Sequence, residues 1–119
     1  MSRIALLAAG LVATLALAGP IGASSNVTKL TGTVGPGFTI TLKKGTAKVK
    51  TLKAGTYKIT VNDKSNIHDF HLKGPGVNKI ITTTPFKGMK SVTVKLKKGK
   101  YTYVCDPHAT AMHGSFRVT

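Results

Sequence analysis

The single cysteine of this chain lies in the run Tyr103-Val104-Cys105-Asp106-Pro107-His108-Ala109-Thr110-Ala111-Met112-His113-Gly114. Between Cys105 and His113 the run offers a thiol, two imidazoles and a thioether. A thiolate with an imidazole three residues on and a thioether four further on is a soft donor set, and soft sulfur combined with imidazole selects copper. A trigonal copper site takes two histidines and one cysteine, with a long axial methionine, and serves electron transfer. Cys105, His108 and Met112 supply three of those four donors. The second histidine must come from another strand, because one loop cannot close a cage around an ion. Asn66-Ile67-His68-Asp69-Phe70-His71-Leu72-Lys73 offers His68 and His71.

Strand geometry favours one of the two. Residues two apart share a face, so His68 points with Phe70 and Leu72 toward a core, while Asp69 and His71 point the other way. His68 is the expected ligand, and His71 falls to the surface or to a supporting position. By the same rule Cys105 shares a face with Tyr101 and Tyr103. Asp106-Pro107 then turns the chain, His108 to Met112 form a loop, and Gly114 to Thr119 return as the final strand. His113 competes with Met112 for the axial position; the thioether is preferred, since a hard nitrogen there favours the oxidised metal. Cys105 as a nucleophile with His108 as base is the enzymatic alternative. It lacks an oxyanion site and a third, orienting group, so the expectation is a protein that is not an enzyme.

These residues need a scaffold, and the rest of the sequence describes one. Phe38-Thr39-Ile40-Thr41-Leu42, Tyr57-Lys58-Ile59-Thr60-Val61 and Val92-Thr93-Val94-Lys95-Leu96 each alternate with period two and stop at a turn, and helical periodicity is absent. Turns recur about every ten residues, which predicts an all-β, Greek-key antiparallel β-sandwich in a single domain. Thr51 to Ile59 and Val94 to Tyr103 resemble one another. Each reads as a strand end, a lysine-glycine turn and a strand opening on tyrosine, hence one hairpin design used twice. Gly35-Pro36-Gly37 and Gly74-Pro75-Gly76 mark tight turns.

Met1-Ser2-Arg3 followed by an apolar run from Ile4 to Leu17 and small residues to Ser25 has the form of a secretory signal peptide, too short in its apolar part for a membrane span. The expected division is residues 1–24 as signal, cleaved between Ala18 and Ser25, and residues 25–119 as the functional domain. Export to the periplasm, cell envelope or exterior makes an unpaired cysteine conspicuous, since exported cysteines usually come in pairs. Lysine and arginine total 18 against three aspartates. Scattered lysines on strands serve as a solvated face and guard edges, and they also attract acidic partners or anionic polymers. Nucleic acid is a poor fit. The chain has seven aromatics (three Tyr, four Phe) and, beyond Arg3, one arginine, so stacking and bidentate groups are scarce.

The segments Ile67-His68-Asp69-Phe70-His71-Leu72-Lys73-Gly74-Pro75-Gly76-Val77 and Gly99-Lys100-Tyr101-Thr102-Tyr103-Val104-Cys105-Asp106-Pro107-His108 resemble the cupredoxins of the plastocyanin and azurin kind. The likeness is strongest to small exported bacterial members with a Cys-X-X-His-X-X-X-Met loop, and it runs from about Val27 to Thr119. It implies one type 1 copper and one-electron transfer between protein partners by a monomer. His68, Cys105 and His108 would be equatorial ligands, Met112 axial, and Asp69, His71 and His113 nearby supporting residues. It also implies an apolar patch around the exposed edge of His108, drawn from Pro36, Phe38, Pro75, Pro107, Ala109 and Ala111, with lysines steering acidic partners. Two departures stand out. Asp69 occupies a position where the family commonly has asparagine, and no tryptophan precedes the penultimate strand, where the chain has Lys90-Ser91. Copper sequestration or delivery without electron transfer uses the same ligands, but the sequence has no additional Met or His cluster for a multi-copper store. A metal-free module adhering to anionic polymers would leave the thiol unexplained.

Overall fold

Alternating burial builds the sandwich. In Gly55–Asp63 the side chains of Tyr57, Ile59, Val61 and Asp63 are buried while Thr56 and Lys58 face solvent. This alternation gives the strand one dry face. The computed structural model describes residues 27–119, so the expected signal segment lies outside the described residues. Ten strands follow in chain order: β1 (Thr28–Val34), β2 (Ile40–Lys44), β3 (Ala47–Lys48), β4 (Thr51–Leu52), β5 (Gly55–Asp63), β6 (Phe70–Gly74), β7 (Val77–Thr82), β8 (Gly88–Leu96), β9 (Gly99–Val104) and β10 (His113–Val118). They form two five-stranded sheets with orders β3-β2-β1-β5-β8 and β4-β10-β9-β6-β7. Among the described residues, no helix is long and apolar enough to cross a membrane.

The β-sandwich expectation holds, with one correction: the sheets are mixed. β1 runs parallel to β5, from Thr28 opposite Tyr57 to Val34 opposite Asp63, and β10 runs parallel to β4. The chain leaves β1, passes through β2, β3 and the opposite sheet, and re-enters beside β1 running the same way. Side-chain alternation has period two in both kinds of ladder, so it carries no information on strand direction.

A second correction concerns the two similar segments. Neither is a hairpin. β4 belongs to one sheet and β5 to the other, and likewise β8 and β9, so both segments are crossovers between layers. Their likeness has a different cause: in each, a tyrosine hydroxyl bonds back to a lysine four residues earlier. Tyr57 Oη donates to the Lys53 carbonyl at 2.6 Å. Tyr101 Oη accepts the Lys97 N–H at 2.9 Å and donates to the Pro75 carbonyl at 2.9 Å. A buried ring with its hydroxyl at the rim satisfies backbone groups that a change of layer would otherwise strand.

The core holds a file of aromatics leading toward Cys105. Tyr101 stacks on Phe116 with centroids 5.3 Å apart, and Tyr103 on Phe70 at 5.7 Å. Tyr101 lies so close to the backbone of Gly74 that a Cβ there would run into its ring. Gly74→Ala is therefore expected to lower stability by about 2 kcal/mol or more, the scale of overpacking a filled core. Gly37→Ala, where a Cβ meets nothing within 4 Å, should leave it nearly unchanged. Urea denaturation of the two variants checks both.

Candidate metal centre

Three side chains from two loops meet at one end of the sandwich. His68 precedes β6, Cys105 follows β9, and His108 closes the 3₁₀ turn Asp106–His108. Cys105 Sγ lies 3.7 Å from His68 Nδ1 and 3.6 Å from His108 Nδ1, and the two Nδ1 atoms are 3.2 Å apart. Donors bound to one ion at about 2.0–2.3 Å in a trigonal arrangement stand about 3.5–3.7 Å from one another, so this triangle is close to a coordination plane. Within the described residues this is the one such group of histidine, cysteine and carboxylate donors. Among the described residues, two ring nitrogens and a sulfur converge with no hydrogen-bond partner for these atoms except one another and the Asp69 N–H, a donor set that fits a bound cation.

The local sequence explains how each donor is held. Cys105 N–H donates to the Met112 carbonyl, His108 N–H to the Cys105 carbonyl, and Met112 N–H to the His108 carbonyl, all between 2.8 and 3.0 Å. The loop is thereby fixed by its own backbone. Met112 is fully buried against the core, whereas His113 is exposed and sits opposite Val104 in the β9–β10 ladder. Of the two axial candidates, the methionine is the one with its side chain in the interior.

His68 and His71 part in a similar way. His68 is fully buried and joins the cluster. His71 is on the outer side of β6, with Nδ1 2.8 Å from Asp106 Oδ2 and Nε2 2.5 Å from Asn78 Oδ1. Strand parity pointed to His68, yet β6 begins only at Phe70, with a register shift against β7 between Phe70 and His71. His68 and Asp69 stand in the loop ahead of it and both are buried, so the alternation that selected His68 does not extend to it. Gly35 makes room for the imidazole. Its φ is +76°, and a Cβ there would sit 2.9 Å from His68 Cδ2.

Asp69 ties the two ligand loops together. Its Oδ1 accepts the Asp106 N–H at 2.7 Å, and its own N–H points at Cys105 Sγ at 3.5 Å. Burial, then the hydrogen bond with the Asp106 side chain, pushes the Asp69 carboxyl up to about 6. Burial works to raise Asp106 as well, but hydrogen bonds from Asp69 and His71 bring it below the usual carboxylate range. Burial also pushes the Cys105 thiol up, against the lowering effect of the Asp69 and His108 backbone N–H groups. A cation that takes up the thiolate must displace its proton.

Phe38 was expected at the start of β2, but β2 begins at Ile40 because the Gly35-Pro36-Gly37 turn extends past it. Phe38 is 58% exposed, yet its ring meets His108 edge-on at 4.8 Å and His68 at 5.6 Å. Ile67, half exposed, is a further apolar residue beside His68 in sequence that sequence reasoning missed. Pro75 leaves the expected patch. It packs at Gly99, and its carbonyl bonds Tyr101, at the end of β9 opposite Cys105. Lys97 and Lys98 lie in the β8–β9 crossover at that same far end.

A β-sandwich with a His-Cys-His cluster beside a buried methionine at one end defines a copper protein of the cupredoxin class. Residues 37–119 match the family described as copper binding proteins, plastocyanin/azurin family; the chain belongs to that family, and copper is its cofactor. Solved structures of rusticyanin are similar. Reduced rusticyanin is 26% identical over 76% of this chain and 78% of its own, with a TM-score of 0.55. Rusticyanin variants carrying a serine-to-aspartate or a methionine-to-leucine change are 29% identical over 76% of each chain, with a TM-score of 0.53. No curated protein matches in sequence.

The raised Asp69 carboxyl gives a pH test on the copper-free protein. A group whose folded value lies above its unfolded value adds stability that is full below about pH 4 and lost as pH rises through about 6. Urea midpoints should fall across that window. Asp69→Asn, which keeps the acceptor for the Asp106 N–H, should flatten the fall, leaving the smaller part due to the buried Asp63, whose carboxyl is also raised, chiefly by burial.

Proposed function

We propose that this protein carries single electrons between protein partners in the cell envelope, with His68, Cys105 and His108 as equatorial ligands and Met112 as axial ligand. The observation that carries the reading is the triangle of Cys105 Sγ, His68 Nδ1 and His108 Nδ1, with edges of 3.2 to 3.7 Å. Copper supplies the one-electron couple; the protein supplies a site that does not rearrange when the charge changes. Cys105 and His68 are buried and act as fixed donors. Met112, packed in the core, presents its thioether from the interior. Asp69 holds both loops to one geometry and, where the family commonly has a neutral asparagine, adds a carboxyl that favours the oxidised state.

His108 is the ligand nearest solvent, being only half buried, and the exposed Phe38 ring lies edge-on against it as apolar surface at the exit. A small apolar contact of this kind suits a brief encounter. Redox partners with acidic surfaces would be drawn by the excess of lysine, although Lys97 and Lys98, at the far end, are not at this contact. The chain is exported after removal of residues 1–24, works as a monomer and catalyses no reaction of its own. His71 and His113 are supporting and surface residues rather than ligands.

Addition of cupric ion to the purified protein should produce an intense visible thiolate-to-copper absorption and the narrow hyperfine splitting of a type 1 centre. Cys105→Ser should abolish the absorption altogether. An unchanged band in that variant would overturn the ligand set. Asp69→Asn should raise the reduction potential in voltammetry above about pH 6, where the Asp69 carboxyl is ionised. A copper courier is distinguished by rapid loss of the metal to a chelator, where an electron carrier keeps it while exchanging electrons.

A further inference from the structure

The outer face of the β3-β2-β1-β5-β8 sheet is a plane of lysines with no acidic residue. Ladder registers set its rows. Lys48 stands opposite Lys43, Lys43 opposite Thr31, Thr31 opposite Thr60 and Thr60 opposite Ser91. The next row runs from Lys29 to Lys58 to Thr93, and Lys95 follows opposite Thr56. Thr60 Oγ1 and Ser91 Oγ are 2.7 Å apart, so these side chains share one face.

Edge protection accounts for lysines on edge strands. It does not account for Lys29 and Lys58, which face each other from β1 and β5 in the middle of the sheet. Adjacent strands lie about 4.8 Å apart, and like charges directly opposite are unfavourable. All three acidic residues of the chain, Asp63, Asp69 and Asp106, lie at the metal end or in the loops that form it. The row of this face nearest the metal end, Thr41-Thr33-Asn62-Met89, has no charge. The molecule is therefore uneven in charge: lysine rows without an acid on one flat side, and at the copper end the three acids together with Lys64 and Lys87.

We propose that this sheet face docks on an anionic lipid bilayer, leaving the copper end free to meet a partner. Flat, flexible point charges without arginine forks suit mobile anionic headgroups in a plane, and each lysine near such a surface strengthens attachment roughly fivefold. At the copper end Asp63 and Asp69 are buried and Asp106 is paired with His71, so that end offers the same surface no comparable plane of lysines. The opposite face has three basic residues, Arg117 opposite Lys100 and Lys73 opposite Thr102, but they share that face with Val104, Ile80 and the His71–Asp106 pair.

Two variants with equal loss of charge test this. One carries Lys29→Gln, Lys43→Gln and Lys58→Gln; the other carries Lys73→Gln, Lys100→Gln and Arg117→Gln. Co-sedimentation is measured on copper-loaded protein with vesicles of phosphatidylcholine alone and with added phosphatidylglycerol. Any apolar contribution of the N-terminal segment is common to both vesicle types and cancels in the difference. The unsubstituted protein should prefer the anionic vesicles. The first variant should lose that preference by tenfold or more and the second by much less, with the visible copper band intact in both. Equal loss in the two variants would reduce the effect to net charge and overturn the proposal, as would no preference for anionic vesicles. Tighter binding to soluble polyglutamate than to vesicles would overturn it in favour of an acidic polymer.

Discussion

Two ring nitrogens and a sulfur held within 3.2 to 3.7 Å of one another are not kept in place by those weak contacts alone. They come from loops nearly forty residues apart in sequence, and those loops must be held from outside the triangle. Asp69 does this with one carboxylate oxygen on the Asp106 N–H and its own N–H on the cysteine sulfur. His71 grips Asp106 from the outer face. The Cys105 to Met112 loop, closed by its own backbone bonds, is then seated as one piece. Buried hydrogen bonds of this sort are worth little net energy each but are costly to leave unmade, so the ties fix geometry more than they add stability.

The sandwich makes that seating possible. Tyr101, Tyr103, Phe70 and Phe116 fill the space between the sheets, and Gly74 and Gly114 are bare where the tyrosine rings lie on the backbone. Cys105 continues the inward row begun by Tyr101 and Tyr103. A packed interior at crystal-like density transmits position from one end of β9 to the other. At the far end, tyrosine hydroxyls at Lys53 and Lys97 secure the two crossovers between layers.

The donor set was legible because its logic is local. Soft donors in one loop define a metal whatever the fold, and alternation in β5 and β8 gave the strands. His68 came from a rule applied beyond its range: the residue lies before β6, and burial of both His68 and Asp69 comes from the loop, not from a pleat. Phe38 read as a strand residue because Phe38 to Leu42 alternates, yet the preceding Gly-Pro-Gly turn carries it over the histidines. Pro75 was placed at the metal end by the resemblance to the family. Only the topology shows that the β6–β7 turn faces the other way.

Composition and spacing by themselves determined the chemistry, the all-β class and the charge, since donor type, period-two alternation and lysine count are properties of the chain. Strand direction, the layer to which β4 and β8 belong, and which end of the molecule each turn occupies were decided by tertiary structure. Those depend on pairing between residues distant in sequence, and parallel and antiparallel neighbours satisfy the same alternation equally well. The role of Asp69 divides along the same line: the sequence showed a carboxylate where an amide is usual, and packing decided that it is buried, inclined to hold its proton, and joined to both ligand loops.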